Sequence, residues 1–178
     1  TLNRFGPDVL VPSAKDNYSP CGNSTYDFLS DLSCKARELG TYLVVNLYEK
    51  ERCTVATQNA KNDPRNCSPT GWSKFNTNVV FDRKGVVIAR YRKTHLYGEP
   101  GVNVTYSPEH VTFDTDFGVK FGTFICFDML FESPAQDLVK KYNVTDFVYP
   151  TYWFSELPFL TASSVSQKHA FPGLELKG

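Results

Sequence analysis

Methionine occurs once, tryptophan twice and histidine three times in the 178 residues. No stretch approaches the roughly eighteen consecutive apolar residues of a membrane-crossing helix, so no transmembrane span is expected. Charge of one sign is not in excess: 19 Lys and Arg balance 19 Asp and Glu, and no basic arm or stripe invites nucleic acid. His95, His110 and His169 share no H-x-x-x-H spacing and the cysteines no C-x-x-C, so a metal centre is not expected. Internal repeats, low-complexity tracts and linkers are missing too, which makes 1–178 a single domain or part of one. A hydrophobic share of 41% against 21% charged residues suits a packed globular core. The sequence opens at Thr1 without a methionine, a charged leader or an apolar leader core. That pattern fits a removed signal peptide or a start inside a longer chain.

The five cysteines divide unevenly. Cys21, Cys34, Cys53 and Cys67 lie among polar residues, prolines and glycines, whereas Cys126 stands in an apolar run. Two disulfides and one free thiol are expected. Three connectivities are open to the first four, of which Cys21–Cys34 with Cys53–Cys67 closes the shortest loops. Asn-X-Ser/Thr occurs at Asn17, Asn23, Asn66, Asn103 and Asn143. Five sequons beside paired-looking cysteines point to glycosylation on a secretory route.

Helix and strand patterns alternate. RFGPDVLVPS reads as a short strand. Residues 26–39 place Phe28, Leu29, Leu32, Ala36 and Leu39 at helical spacing, with Ser24 or Thr25 as cap and Gly40 as stop. TYLVVNL, 41–47, reads as a strand buried on both faces, and 49–75 as a long polar loop. NTNVVFD and GVVIARYRK flank DRKG as a hairpin. VTFD and VKFGTFIC add two strands, and SPAQDLVKKYN a helix with Ser133 as cap and Pro134 first. DFVYP reads as a buried strand, and a helix begins within SELPFLTASSVSQKHA; FPGLELKG suggests no element. The rhythm is that of an α/β or layered domain.

GTFICFDMLFESP sets Cys126 at the end of a strand, just before a turn and helix, where α/β folds carry their sites. The Phe127 N–H following it is a candidate oxyanion donor. A thiol near its ordinary pKa of roughly 8.5 is mostly protonated at neutral pH, so a nucleophile needs a base and a cation nearby. Lys93, at the end of RYRK, is the candidate cation, and Glu99 follows in a Gly-Glu-Pro-Gly turn. Asp128 reads as a partner for backbone amides or an arginine, Glu132 as a charge at a helix start. Taken singly each has a bland alternative: a core cysteine, a solvated lysine, a satisfied carboxylate.

Taken together the segments resemble the nitrilase (carbon–nitrogen hydrolase) superfamily, and within it the vanin and biotinidase branch. The branch pattern NTDVVFD, RYHKxNL with GE, FGxFTCFDILF with DPA, and FPTAW with LPxL stands here as NTNVVFD, RYRKTHLYGE, FGTFICFDMLFESPA and YPTYWFSELPFL. The likeness runs from about Arg4 to Phe159 and takes in the LSCKA helix and the cysteine-flanked loop.

That resemblance implies a four-layer αββα sandwich, incomplete at both ends. It makes Cys126 the nucleophile of an amidase that hydrolyses a linear carboxamide, pantetheine-like or biotinyl, through a thioester. Lys93 and the Phe127 N–H would hold the oxyanion, Glu99 would orient the site, and Trp153 and Tyr152 are candidate pocket residues. A small-molecule amide is the implied partner; no cofactor is called for, and homodimer pairing follows by analogy. A secreted or lipid-anchored glycoprotein is the implied setting. The family's general-base glutamate belongs to a segment ahead of this region, and Asp8, Glu38, Glu49 and Glu51 lack its motif. The sequence is therefore expected to be a fragment. Losing general-base help typically costs on the order of 10²–10⁴-fold in rate. The alternative is a secreted protein of this fold that binds an amide, a thiol ligand or a protein partner without turnover. A papain-like protease is disfavoured, since Cys126 lacks the C-G-x-C-W surround and no histidine has a matching segment.

Overall fold

Apolar side chains on both faces of NVVF and VVIA pull the hairpin into the interior. The computed structural model describes residues 8–155. In it β1 (Leu43–Arg52), β2 (Trp72–Phe81) and β3 (Val87–Arg92) form one antiparallel sheet in the order β1-β2-β3. Val79 and Phe81 point to one face, where they meet Leu29 and Ala36 of α1 (Phe28–Leu39) and Leu47. Val80 points to the other face and packs with Ala89 and Phe113. Val79, Val80 and Phe81 are 0% exposed. Burying each contributes about 1.5–3 kcal/mol against an exposed side chain.

Phe113 belongs to the second sheet, β4 (Val111–Asp114), β5 (Lys120–Thr123) and β6 (Asp146–Val148), in which β5 runs antiparallel to β4 and parallel to β6. Beyond β5 a further cluster gathers Tyr91, Phe124, Ile125, Met129, Ala135 and Leu138, the last from α3 (Asp137–Lys140). The candidate thiol sits at the rim of this cluster. The α2 helix (Val55–Ala60) and the disulfide Cys53–Cys67 lie between β1 and β2, and Cys21–Cys34 ties the segment ahead of α1 to that helix.

The turn of the hairpin is built by Asp82, whose carboxylate accepts the Lys84 and Val86 N–H groups at 2.8 and 2.9 Å. Gly85 is required there twice over. Its φ is +74°, and a Cβ would stand 2.3 Å from the Ser33 carbonyl oxygen, because Ser33 donates its hydroxyl to Gly85 O at 2.5 Å. Close seating of α1 on the hairpin thus rests on two small residues.

Several expectations need correction. Ser24 and Thr25 form a 3₁₀ turn and Asp27 is the helix cap; Gly40 ends the helix in the left-handed region. Phe28 and Leu39 are 41% and 69% exposed, and the helix buries Ser30 and Ser33 instead, since Ser33 donates to Gly85 O of the hairpin turn and Ser30 accepts the Gly22 N–H. The stretch 49–75 is not one loop: β1 continues to Arg52, α2 follows under a Thr54 capping box, and β2 starts at Trp72. β1 is not buried on both faces, Asn46 being exposed, and β6 is a half-buried edge strand. RFGPDVLVPS contributes one parallel bridge, Val9 to Glu49, among the described residues. β5 ends at Thr123, before the cysteine. Ser133 has the extended backbone of a cap, but regular α-helix is confined to α3. The helix expected within SELPFLTASSVSQKHA lies outside the described residues, as does nearly all of that segment.

Candidate active site around Cys126 and Lys93

Lys93 follows β3 and its N–H still pairs with the Asn76 carbonyl at 2.8 Å, so the strand's alternation carries through it. Its side chain therefore shares a face with Tyr91, and opposite faces receive Arg90 and Arg92. Lys93 is 2% exposed, and its ammonium lies 2.6 Å from Glu99 Oε1. Glu99 is held in turn: Asn76 donates to Oε1 at 3.0 Å and the Tyr97 N–H to Oε2 at 2.8 Å. Asn46 donates to Asn76 Oδ1 at 2.8 Å. The lysine is thus a buried cation with one fixed carboxylate, not a solvated strand end.

Cys126 opens a 3₁₀ turn, Cys126–Leu130, with φ of +47°. Its N–H donates to Pro150 O at 3.1 Å, and Tyr149 donates its hydroxyl to Cys126 O at 3.0 Å. The thiol faces Tyr152 O at 3.6 Å and is partly exposed. Burial pushes the Tyr149 phenol up to about 12; Cys126 and Asp128 add to this, against a hydrogen bond involving Thr151. A non-glycine residue with positive φ marks a sharp exit from the strand that turns the side chain outward.

Asp128 joins the two parts. It is 0% exposed, and it accepts Tyr91 Oη at 2.6 Å, Ile125 N at 3.1 Å and His95 N at 2.8 Å. Burial, and after it the Asp128 charge, pushes the Tyr91 phenol far up, so Tyr91 remains the donor in this pair. Aromatic rings flank the thiol's turn: Phe127 lies 5.2 Å from Tyr97 and 6.3 Å from Trp153, while Tyr152 is 74% exposed and meets Phe154 at 4.6 Å.

On the opposite face Glu49 and Arg92, both almost fully buried, pair at 2.5 Å, with Arg90 3.2 Å and the Thr77 hydroxyl 3.0 Å from the same carboxylate. Glu49 and Glu51 belong to β1, and their carboxylates serve this ion cluster rather than the thiol. Burial pushes Glu51 up, but Arg92 and Lys61 outweigh it and hold the carboxyl below its usual range. Glu38 pairs with Lys35 on the exposed helix face, and Asp8 with Lys74. A cleft of about 290 Å³ beside Arg92, lined also by Arg65, Asn66, Asn103 and Tyr106, receives neither Cys126 nor Lys93. Of the sequon asparagines, Asn17, Asn66, Asn103 and Asn143 are exposed and Asn23 is half-buried.

The residues sequence reasoning passed over are Asn76 and His95. Asparagines two apart in NTNVVF share the face of Lys93, and polar residues aimed inward from an apolar strand were the available signal.

The Carbon-nitrogen hydrolase family pattern matches residues 5–153. The chain belongs to that family. Its relatives fall in the vanin, pantetheinase and biotinidase branch. Vanin-like protein 1 of Drosophila melanogaster is 52% identical over 96% of this chain and 31% of its own length. Pantetheinase of Homo sapiens is 41% identical over 89% of this chain and 31% of its own. The chain spans about a third of the length of these relatives. Among solved structures, Saccharomyces cerevisiae Nit3, a member of branch 10 of the nitrilase superfamily, superposes with a TM-score of 0.56 at 24% identity, covering 82% of this chain and 43% of that one. A mutant of the amidase from Nesterenkonia sp. AN1 in complex with butyramide gives 0.58 at 18% identity, covering 79% and 47%. The fold is that of the nitrilase superfamily.

Proposed function

We propose that this chain carries the nucleophile and oxyanion machinery of an amidase that hydrolyses a linear carboxamide, pantetheine-like or biotinyl, through a thioester on Cys126. One observation carries the reading. The buried Lys93, paired with Glu99, directly follows the strand whose Tyr91 hydroxyl shares the Asp128 carboxylate with the Ile125 N–H at the cysteine's turn. Family membership and relatives named pantetheinase and biotinidase support it.

In this mechanism the Cys126 sulfur attacks the amide carbonyl and its S–H proton passes to a base. The carbonyl oxygen becomes an oxyanion facing the Lys93 ammonium and the Phe127 N–H. Glu99 keeps the ammonium in place, and the amine leaves with a proton as the thioester forms. Water then attacks the thioester and releases the acid and the free thiol. The general base comes from a residue other than Glu38, Glu49 or Glu51. Trp153 and Tyr152 border the substrate. The two sheets, α1 and α3 make up an αββα sandwich, and the two disulfides with the exposed sequons suit secretion as a glycoprotein.

The test is acid release from pantetheine and from biotinyl-lysine by the protein as its source makes it, beside the Cys126→Ala variant. Release abolished by the substitution is expected. Release that survives it overturns the nucleophile assignment. Tight ligand retention with no acid product would replace turnover by binding.

A further inference from the structure

Asp128 is a buried carboxylate that the thioester mechanism leaves without a part, and its contacts are distributed in a telling way. Oδ1 accepts the His95 N–H at 2.8 Å and faces His95 Nδ1 at 3.1 Å. Oδ2 accepts the Tyr91 hydroxyl at 2.6 Å and the Ile125 N–H at 3.1 Å. Tyr91 and His95 stand two residues before and two after Lys93, and Ile125 immediately precedes Cys126. One side chain therefore brackets the lysine and grips the peptide that delivers the thiol. The His95 ring also stacks on Phe131 at 3.7 Å, a second tie between the same two segments.

Resting on the amidase reading, we infer that Asp128 is a positioning residue that fixes the separation between the Cys126 thiol and the Lys93 ammonium. The four contacts use the carboxylate's whole acceptor capacity. A neutral amide in its place offers one acceptor oxygen, and its NH₂ then faces either the His95 or the Ile125 peptide N–H. Donor meets donor, so one of the two segments is pushed away. Misplacing reacting groups by about 1 Å costs on the order of 10²-fold in rate.

The experiment compares Asp128→Asn and Tyr91→Phe with the parent protein in its full natural length. Three readouts are taken: kcat and KM for amide hydrolysis, the melting temperature, and the rate at which Cys126 is alkylated by iodoacetate relative to iodoacetamide. The ratio reports how close a cation lies to the sulfur. Removing the Asp128 charge should raise it by simple electrostatics, since less negative charge repels the anionic reagent. Loss of positioning lowers it. The expected result for Asp128→Asn is a kcat about 10²-fold lower with KM little changed and a falling ratio. Tyr91→Phe, which changes no charge, should lose about tenfold in kcat and shift the ratio the same way. A ratio that rises or stays constant with kcat preserved overturns the inference and leaves Asp128 a buried hydrogen-bond acceptor. Should Asp128→Asn not fold, Tyr91→Phe decides on the same readouts. A parent protein that releases no acid sinks the amidase reading, and the alkylation ratio still judges the geometry.

Discussion

At the scale of single residues, the buried cations Arg92, at the end of β3, and Lys93, just after it, point to opposite faces, each with its own carboxylate. Lys93–Glu99 shares the face of Tyr91, and Glu99 is held further by Asn76 and the Tyr97 amide. Arg92–Glu49 faces the α1 side and locks β1 to β3 across β2. Burial lowers the Arg92 guanidinium's affinity for its proton, and the two glutamates reverse this and raise it. Removing one partner of such a pair strands the other in a dry site, at a typical cost of about 3–5 kcal/mol. Glu49→Ala should therefore lower urea-unfolding stability toward that range. A loss under about 1 kcal/mol would mean Glu51 alone neutralises Arg92. Lys93→Ala bears on chemistry: thioester formation should fall about 10²–10³-fold, read as the pre-steady-state burst. The Lys93–Glu99 pairing is legible in the local spacing of RYRKTHLYGE, and Cys126 stands out in FICFD as the free thiol. The role of Asp128 was half legible. Its amide partners were expected, whereas Tyr91 and His95 are brought to it by folding across more than thirty residues.

Elements were read well where one period dominates. The hairpin and α1 lie close to where alternation and helical spacing place them. The stretch 49–75 reads as a loop because it is polar and carries Asp63-Pro64 and Ser68-Pro69-Thr70-Gly71. Glu49 and Arg92 are buried against each other, and a strand whose inward residues are ionic has no apolar alternation to detect. Packing of α1 on the hairpin supplies a sharp prediction. Gly85→Ala adds a Cβ within 2.3 Å of a backbone oxygen at a φ of +74°, so stability should drop by more than about 1 kcal/mol in a thermal melt. An unchanged melt would mean the turn and helix separate freely. The lobe closed by Cys53–Cys67 predicts a pH dependence. Its hydrogen bond from Arg65, against burial, which works the other way, holds Asp63 down to about 2, below the ordinary carboxylate value near 4. A carboxyl depressed in the fold contributes stability that is full above its unfolded pKa and is lost as pH falls through the folded one. The melting advantage of the parent over Asp63→Asn should be present above about pH 4 and gone below about pH 2. An advantage independent of pH would assign the effect to shape rather than charge.

For the molecule as a whole, the two three-stranded sheets meet through Val80, Ala89 and Phe113, and the candidate site lies where the chain leaves β3 and β5 together. Lys93 is delivered by one sheet and Cys126 by the other, so the site exists only once the sheets have packed. Sheet order and the sheet-to-sheet contact were not legible from residue patterns, since periodicity names a strand's faces but not what covers them; the family resemblance implied layers but no strand order. No helix among the described residues is long and apolar enough to cross a membrane. The most direct measurement is the mass of the Cys126 peptide after rapid acid quench during turnover of a slowly hydrolysed anilide of pantothenate. An acyl group on that peptide, lost in Cys126→Ala and decaying at the rate of acid release, is the predicted result. Acid released with no acyl adduct on Cys126, at a rate the substitution leaves intact, would contradict the account.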